Sequence, residues 1–147
     1  MQDKKIKVLL FRGKGLLSTL IRWKTNSIYS HAAILLPDGK TIIESWQGAG
    51  VRKKIMTDWK DVDAYNIDLT NEQIGYIVSY LESKVGYKYD YLGALGIALN
   101  KPYQKKSRYF CFELVFEAFQ YIGIKLLNRT VARECTGSLL MRSHYLK

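Results

Sequence analysis

Cysteine is scarce in this chain, at 2 of 147 residues, and the scarcity excludes two architectures at once. Cys111 and Cys135 cannot build the disulfide framework of a small secreted scaffold, and no C-x-x-C spacing offers a zinc site. A reducing compartment is the simpler expectation. Long apolar runs are also missing: the longest, Tyr91 to Leu99, has nine residues with two glycines, against the roughly 20 that a spanning helix requires. The basic stretch Met1 to Lys7 is followed only by Val8 to Phe11 as an apolar run before Arg12, too short for the core of a signal peptide. These absences point to a cytoplasmic protein with no transmembrane segment. Neither an internal repeat nor a low-complexity tract is present.

Acidic residues are few: 13 against 23 lysines and arginines, a formal net charge of +10. Such a balance favours anionic partners in general, whether nucleic acid, anionic lipid or an acidic polymer. The bases are scattered, however. Lys4-Lys5, Lys53-Lys54 and Lys105-Lys106 are only pairs, the pattern of a solvated basic surface, and nucleic acid is not an expected partner. Gly13-Lys14-Gly15 lacks both the P-loop and the dinucleotide spacing and reads as a turn.

What is present suits one domain over residues 1–147, long enough and, at 48% hydrophobic, apolar enough to bury a real core. Ile6 to Phe11 reads as a strand, and Leu16, Leu17, Leu20, Ile21 and Trp23 as a short amphipathic helix. The clearest hairpin joins His31 to Leu36 with Thr41 to Trp46 through Pro37-Asp38-Gly39-Lys40. With Asp38-Gly39 as a two-residue loop, Ala33 faces Glu44 and His31 faces Trp46. Side chains alternate with period two, so His31, Ala33, Glu44 and Trp46 share one face, with the Cα atoms of His31 and Glu44 roughly 7–8 Å apart. A three-residue loop would shift the register by one and separate them. Val51 to Asp63 reads as an irregular, basic segment, and 64–68 as a strand. Thr70-Asn71-Glu72-Gln73 fits a capping box, continued at helical spacing by Ile74, Ile77, Val78, Leu81 and Val85 until Gly86. Tyr87 to Gly93 is an aromatic cluster, and Ile124 to Leu127 a strand or helix extension.

Cys111, Leu114, Val115, Ala118, Phe119 and Ile122 form a helical stripe, with Glu113, Glu117 and Gln120 on the other face and Gly123 as the stop. Cys111 then lies in a first turn, where unpaired N–H groups and the helix dipole favour the thiolate, the nucleophilic form of cysteine. A buried core thiol is the bland alternative. His31 likewise could be a hydrogen-bonded structural histidine and Glu44 a sheet-surface carboxylate. The tyrosines around Tyr89 could simply pack over a core edge. Cys135 sits in a turn-like context, and His144, four residues from the end, is a poor base. Together the elements predict an α+β domain in which antiparallel strands 6–11, 31–36, 41–46 and 64–68 pack on helices 71–85 and 111–122.

Read jointly, three stretches carry a likeness. They are Tyr29-Ser30-His31-Ala32-Ala33-Ile34 leading into Asp38-Gly39 and Ile43-Glu44-Ser45, then Gly86-Tyr87-Lys88-Tyr89-Asp90, then Tyr109-Phe110-Cys111-Phe112-Glu113-Leu114-Val115. In this order the chain resembles the YiiX-like branch of the circularly permuted NlpC-type cell-wall peptidase superfamily. The resemblance implies a papain-like fold and a thiol peptidase or amidase acting on a small peptide or amide, with a cell-wall fragment as one candidate. Carried over, Cys111 is the nucleophile, His31 its base, Glu44 the residue that orients the imidazole, and Tyr89 a residue of the substrate pocket. Such chemistry needs no metal or organic cofactor. Two other functions fit the same fold. One is a lipid-directed thiol acyltransferase or phospholipase, whose peripheral contact with anionic lipid the +10 charge and Tyr91 to Leu99 would suit. The other is a catalytically silent binding module.

Overall fold

The structure, a computed structural model, describes residues 5–13, 28–90, 108–127, 140 and 142–147. The expected helix at Leu16 to Trp23, the apolar Tyr91 to Leu99 and Cys135 lie outside the described residues. Five strands form an antiparallel sheet: β1 (Lys7–Phe11), β2 (His31–Leu35), β3 (Thr41–Trp46), β4 (Gly50–Ile55) and β5 (Val62–Asn66), in the order β4-β3-β2-β1-β5. Helix α1 (Asn71–Lys84), the two-residue strands β6 (Lys88–Tyr89) and β7 (Arg108–Tyr109), and helix α2 (Cys111–Tyr121) follow. Strands β6 and β7 pair in parallel as a separate ladder.

The hairpin has the predicted register, with Ala33 opposite Glu44 and Ile34 opposite Ile43. Its loop is longer than predicted. Leu36 N–H still donates to Thr41 at 2.8 Å, and Gly39 N–H turns back onto the Leu36 carbonyl at 3.0 Å, so all of Pro37–Lys40 forms the connection. Asp38 explains the difference, because its Oδ1 accepts from the N–H groups of Lys40 and Thr41 at 3.0 and 2.8 Å and draws the chain into a wider turn. Adding one residue on each side of a two-residue loop leaves the register parity intact, so His31 and Glu44 keep the same face.

The segment from Val51 is irregular only over 56–61, and its first part belongs to β4, paired to β3 from Thr41↔Ile55 to Trp46↔Gly50. Its consecutive Lys53 and Lys54 hid the strand, yet lysines suit a strand at the edge of a sheet, where charge discourages pairing with another chain. Likewise β5 begins at Val62 and pairs Val62 with Phe11 and Asn66 with Lys7, two residues earlier than expected. Gly50 has a positive φ of 74°, and a Cβ there would lie 2.2 Å from the Tyr87 carbonyl. Only glycine lets the chain pass this close, which brings Val51 N–H onto Tyr87 O at 2.7 Å and docks β4 on the lead into β6.

The capping box forms as predicted: Thr70 Oγ1 accepts from Gln73 N–H at 3.1 Å, and Gln73 Oε1 accepts from Thr70 N–H at 2.9 Å. Helix α2 ends where its glycine signals. Gly123 N–H reaches Gln120 O at 3.0 Å and Ile124 N–H reaches Phe119 O at 2.9 Å, a Schellman closure with Gly123 at φ 83°. No strand or helix extension follows over 124–127.

Both faces of the sheet are covered at β2, all five residues of which are buried. One face shares a core with both helices: Val8, Leu10, Ala32, Ile34 and Ile43 belong with Ile77, Leu81, Leu114, Val115 and Phe119. The other face carries a smaller cluster of Leu9, Ala33, Leu35, Ile42 and Met56. Glu113 departs from expectation, since it is fully buried while Gln120 on the same side of α2 is exposed. That side of the helix meets α1 and a tyrosine cluster. Burial, the Tyr80 hydroxyl and the nearby Glu117 carboxylate all raise the Tyr109 phenol above its ordinary pKa. Among the described residues no helix is long and apolar enough to cross a membrane.

Candidate active site

The β2–β3 hairpin and the head of α2, far apart in the chain, converge at one end of the sheet. His31 opens β2, Glu44 lies near the end of β3, and Cys111 is the first residue of α2. The face that holds His31, Ala33 and Glu44 is the smaller-cluster face, not the one against which the body of α2 packs. Cys111 still reaches His31, because both stand at the start of their elements. The Cys111 Sγ is 3.9 Å from the carbonyl of Ser30, the residue just before β2.

All three side chains are buried, Cys111 and Glu44 at 2% exposure and His31 at 9%. His31 Nε2 lies 3.5 Å from Glu44 Oε1, too long for a hydrogen bond, so this contact is chiefly electrostatic. The imidazole is held by two rings: Phe11, its cross-strand partner, at 5.1 Å between centroids, and Trp46 edge-on at 5.0 Å. Burial opposes a charge on His31, but the adjoining Cys111 and the Glu44 carboxylate outweigh it, and the imidazole is pushed up to about 9. It is an imidazolium at neutral pH. Burial also opposes ionisation of Glu44, yet His31 and Arg52 overcome it and hold the carboxyl below its ordinary value.

Arg52 is the residue that sequence reasoning missed. Its guanidinium places Nη2 3.2 Å from Glu44 Oε2 and stacks over the Trp46 ring at 4.9 Å. The two oxygens of Glu44 thus face different cations. Arg52 stands opposite Glu44 in the β3–β4 register, so recognising β4 as a strand would have found it.

Phe110, the residue before α2, offers no side-chain cap to the first-turn N–H groups. The entry to the helix is fixed from outside, by the Ser45 hydroxyl donating to the Tyr109 carbonyl. Tyr89 is placed beside this entry. It is the register partner of Tyr109, is largely buried, and lines a cleft of about 320 Å³ together with Gly48, Gly50, Lys88 and Arg108. His144 is exposed near the end of the chain, its ring tilted against that of Tyr145.

No curated protein matches the chain in sequence. Among solved structures, the crystal structure of metalloprotein yiiX from Escherichia coli O157:H7 superposes with a TM-score of 0.77, covering 100% of this chain and 96% of that one at 15% identity. At that identity the match carries the fold alone. The word metalloprotein belongs to that protein's description, and the donors here do not fit a metal centre: among the described residues no group of three His, Cys, Asp or Glu side chains is placed to hold an ion, and the Glu44 carboxylate already faces His31 and Arg52. The topology of an antiparallel sheet closed by a cysteine-headed helix, with histidine arriving before cysteine in the chain, has its counterpart in sequence as well. Residues 9–138 match the family described as permuted papain-like amidase enzyme, YaeF/YiiX, C92 family, and the chain belongs to this family of cysteine peptidases and amidases.

Proposed function

We propose that the chain hydrolyses an amide bond in a small peptide, of the kind found in cell-wall fragments, through an acyl-enzyme formed on Cys111. The observation that carries the reading is the meeting of Cys111, His31 and Glu44 in one buried site from three separate elements, with His31 charged at neutral pH. In this mechanism His31 already holds the proton given up by the Cys111 thiol, and the thiolate beside the imidazolium attacks the amide carbonyl. The tetrahedral oxyanion is met by first-turn N–H groups of α2, beginning with that of Cys111 itself. His31 then gives its proton to the departing amine as the C–N bond breaks. Water, deprotonated by His31, cleaves the thioester and releases the acid, restoring the thiolate beside a protonated His31. Glu44 orients the imidazole and stabilises its charged form. Tyr89 forms part of the substrate pocket.

The test is mass spectrometry of the protein after incubation with a library of short peptide amides and, separately, lipid esters. An acyl adduct on Cys111 from peptide amides, absent in Cys111→Ala, is the expected result. An adduct from lipid esters alone would replace the amidase reading with a lipid-directed acyltransferase, and no adduct from either, with no product, would leave a binding module.

A further inference from the structure

The cleft beside Tyr89 carries an arrangement that folding alone does not favour. Lys88 and Arg108 are register partners in the parallel β6–β7 ladder, so two cations stand side by side about 4.8 Å apart along the backbone. Like charges directly across a ladder are destabilising. Among the described residues no carboxylate pairs with either of them, although Lys53, Arg12 and Arg52 all have such partners. Their ladder neighbours Tyr89 and Tyr109 are buried, whereas Lys88 is exposed and Arg108 half-buried on the wall of the cleft of about 320 Å³. The rest of the lining, Gly48, Ala49, Gly50 and Gly86 with Tyr89, carries no acidic group.

We propose that this cleft binds a carboxylate of the peptide substrate, with Lys88 and Arg108 as its specificity-determining residues. The inference rests on the amidase reading and adds to it the substrate class, an acidic peptide. Arg108 precedes Cys111 by three residues, so their Cα atoms are at most about 11 Å apart. The cleft therefore lies within reach of a short peptide whose scissile bond sits at Cys111. A guanidinium and an ammonium converging on one carboxylate give charge-assisted hydrogen bonds, the strong kind.

Binding, rather than turnover, tests this independently of the chemistry. The full chain carrying Cys111→Ala is titrated calorimetrically with N-acetylated tetrapeptide amides in which each position in turn is glutamate or glutamine. At one position glutamate should bind about 10-fold more tightly than glutamine, the effect of a hydrogen bond to a charged group. The preference should fall to near unity in Lys88→Gln with Arg108→Gln and persist in Arg108→Lys. It should also survive Lys54→Gln with Lys60→Gln, which removes the same charge from exposed positions away from the cleft. Equal affinity for the two peptides at every position, or a preference that survives the cleft variant, overturns the proposal. So does cleft-dependent binding to vesicles of anionic phospholipid without discrimination between peptides, which would assign the cations to a lipid phosphate. Failure of the adduct assay with the glutamate preference intact would sink the amidase reading and leave the cleft as an anion site.

Discussion

Glu44 divides its two oxygens between His31 at 3.5 Å and Arg52 at 3.2 Å, and that division sets what single substitutions should do. Glu44→Gln keeps a polar oxygen facing the imidazole but removes the charge that stabilises the imidazolium. Activity against the peptide amide found in the adduct assay should fall roughly 10- to 100-fold. Cys111→Ala and His31→Ala should each cost roughly 1,000-fold or more, and the double variant little beyond either, because residues of one constellation act as a unit. If Glu44→Gln abolished turnover while His31→Ala retained most of it, His31 could not be the base. Cys111, His31 and Glu44 were all legible as residues in the sequence. Arg52 was not, since its role depends on which strand stands beside β3.

At the scale of elements, the hairpin shows why a correct register can follow from a wrong loop. The two-residue and four-residue connections both keep Ala33 opposite Glu44, so the face shared by His31 and Glu44 survived the misjudged turn. β4 shows the opposite. Its lysines read as solvated coil because an edge strand has one side without a neighbour, and only its pairing with β3 makes it a strand. Its anchor is Gly50. Gly50→Ala should destabilise the protein by more than about 2 kcal/mol, through the positive φ and the collision with the Tyr87 carbonyl. Chemical denaturation would measure this, and Gly48→Ala serves as the contrast: φ there is also positive, at 86°, but nothing lies within 4 Å of the added Cβ. Equal losses at the two positions would mean that the close approach to Tyr87 costs nothing.

For the whole molecule, the charged site makes stability depend on pH. The His31 imidazole holds its proton to about 9 when folded, against 6.5 when exposed. The folded state binds the proton more tightly, so this stabilisation is complete below about pH 6.5 and is lost as pH rises through 9. Glu44, held below its ordinary value, stays ionised across that window and adds no slope. Urea unfolding at pH 6 and pH 9.5 should show the wild type losing on the order of 3 kcal/mol relative to His31→Gln. A difference that stays flat with pH would mean that the folded protein does not stabilise the imidazolium. The sequence by itself determined the hairpin register, the capped α1, the cysteine at the head of α2 with its glycine stop, and the α+β class, because each rests on contacts within a few residues or on strict periodicity. Tertiary structure decided the rest. That Cys111 meets His31 around the end of the sheet, from a helix lying on the other face, depends on how layers stack, and no local pattern encodes it. Glu113 is buried for the same reason, because a polar position on a helix reads as exposed until another helix covers it. The pairing of Lys88 with Arg108 likewise joins residues twenty apart, brought side by side only when β6 and β7 close their ladder.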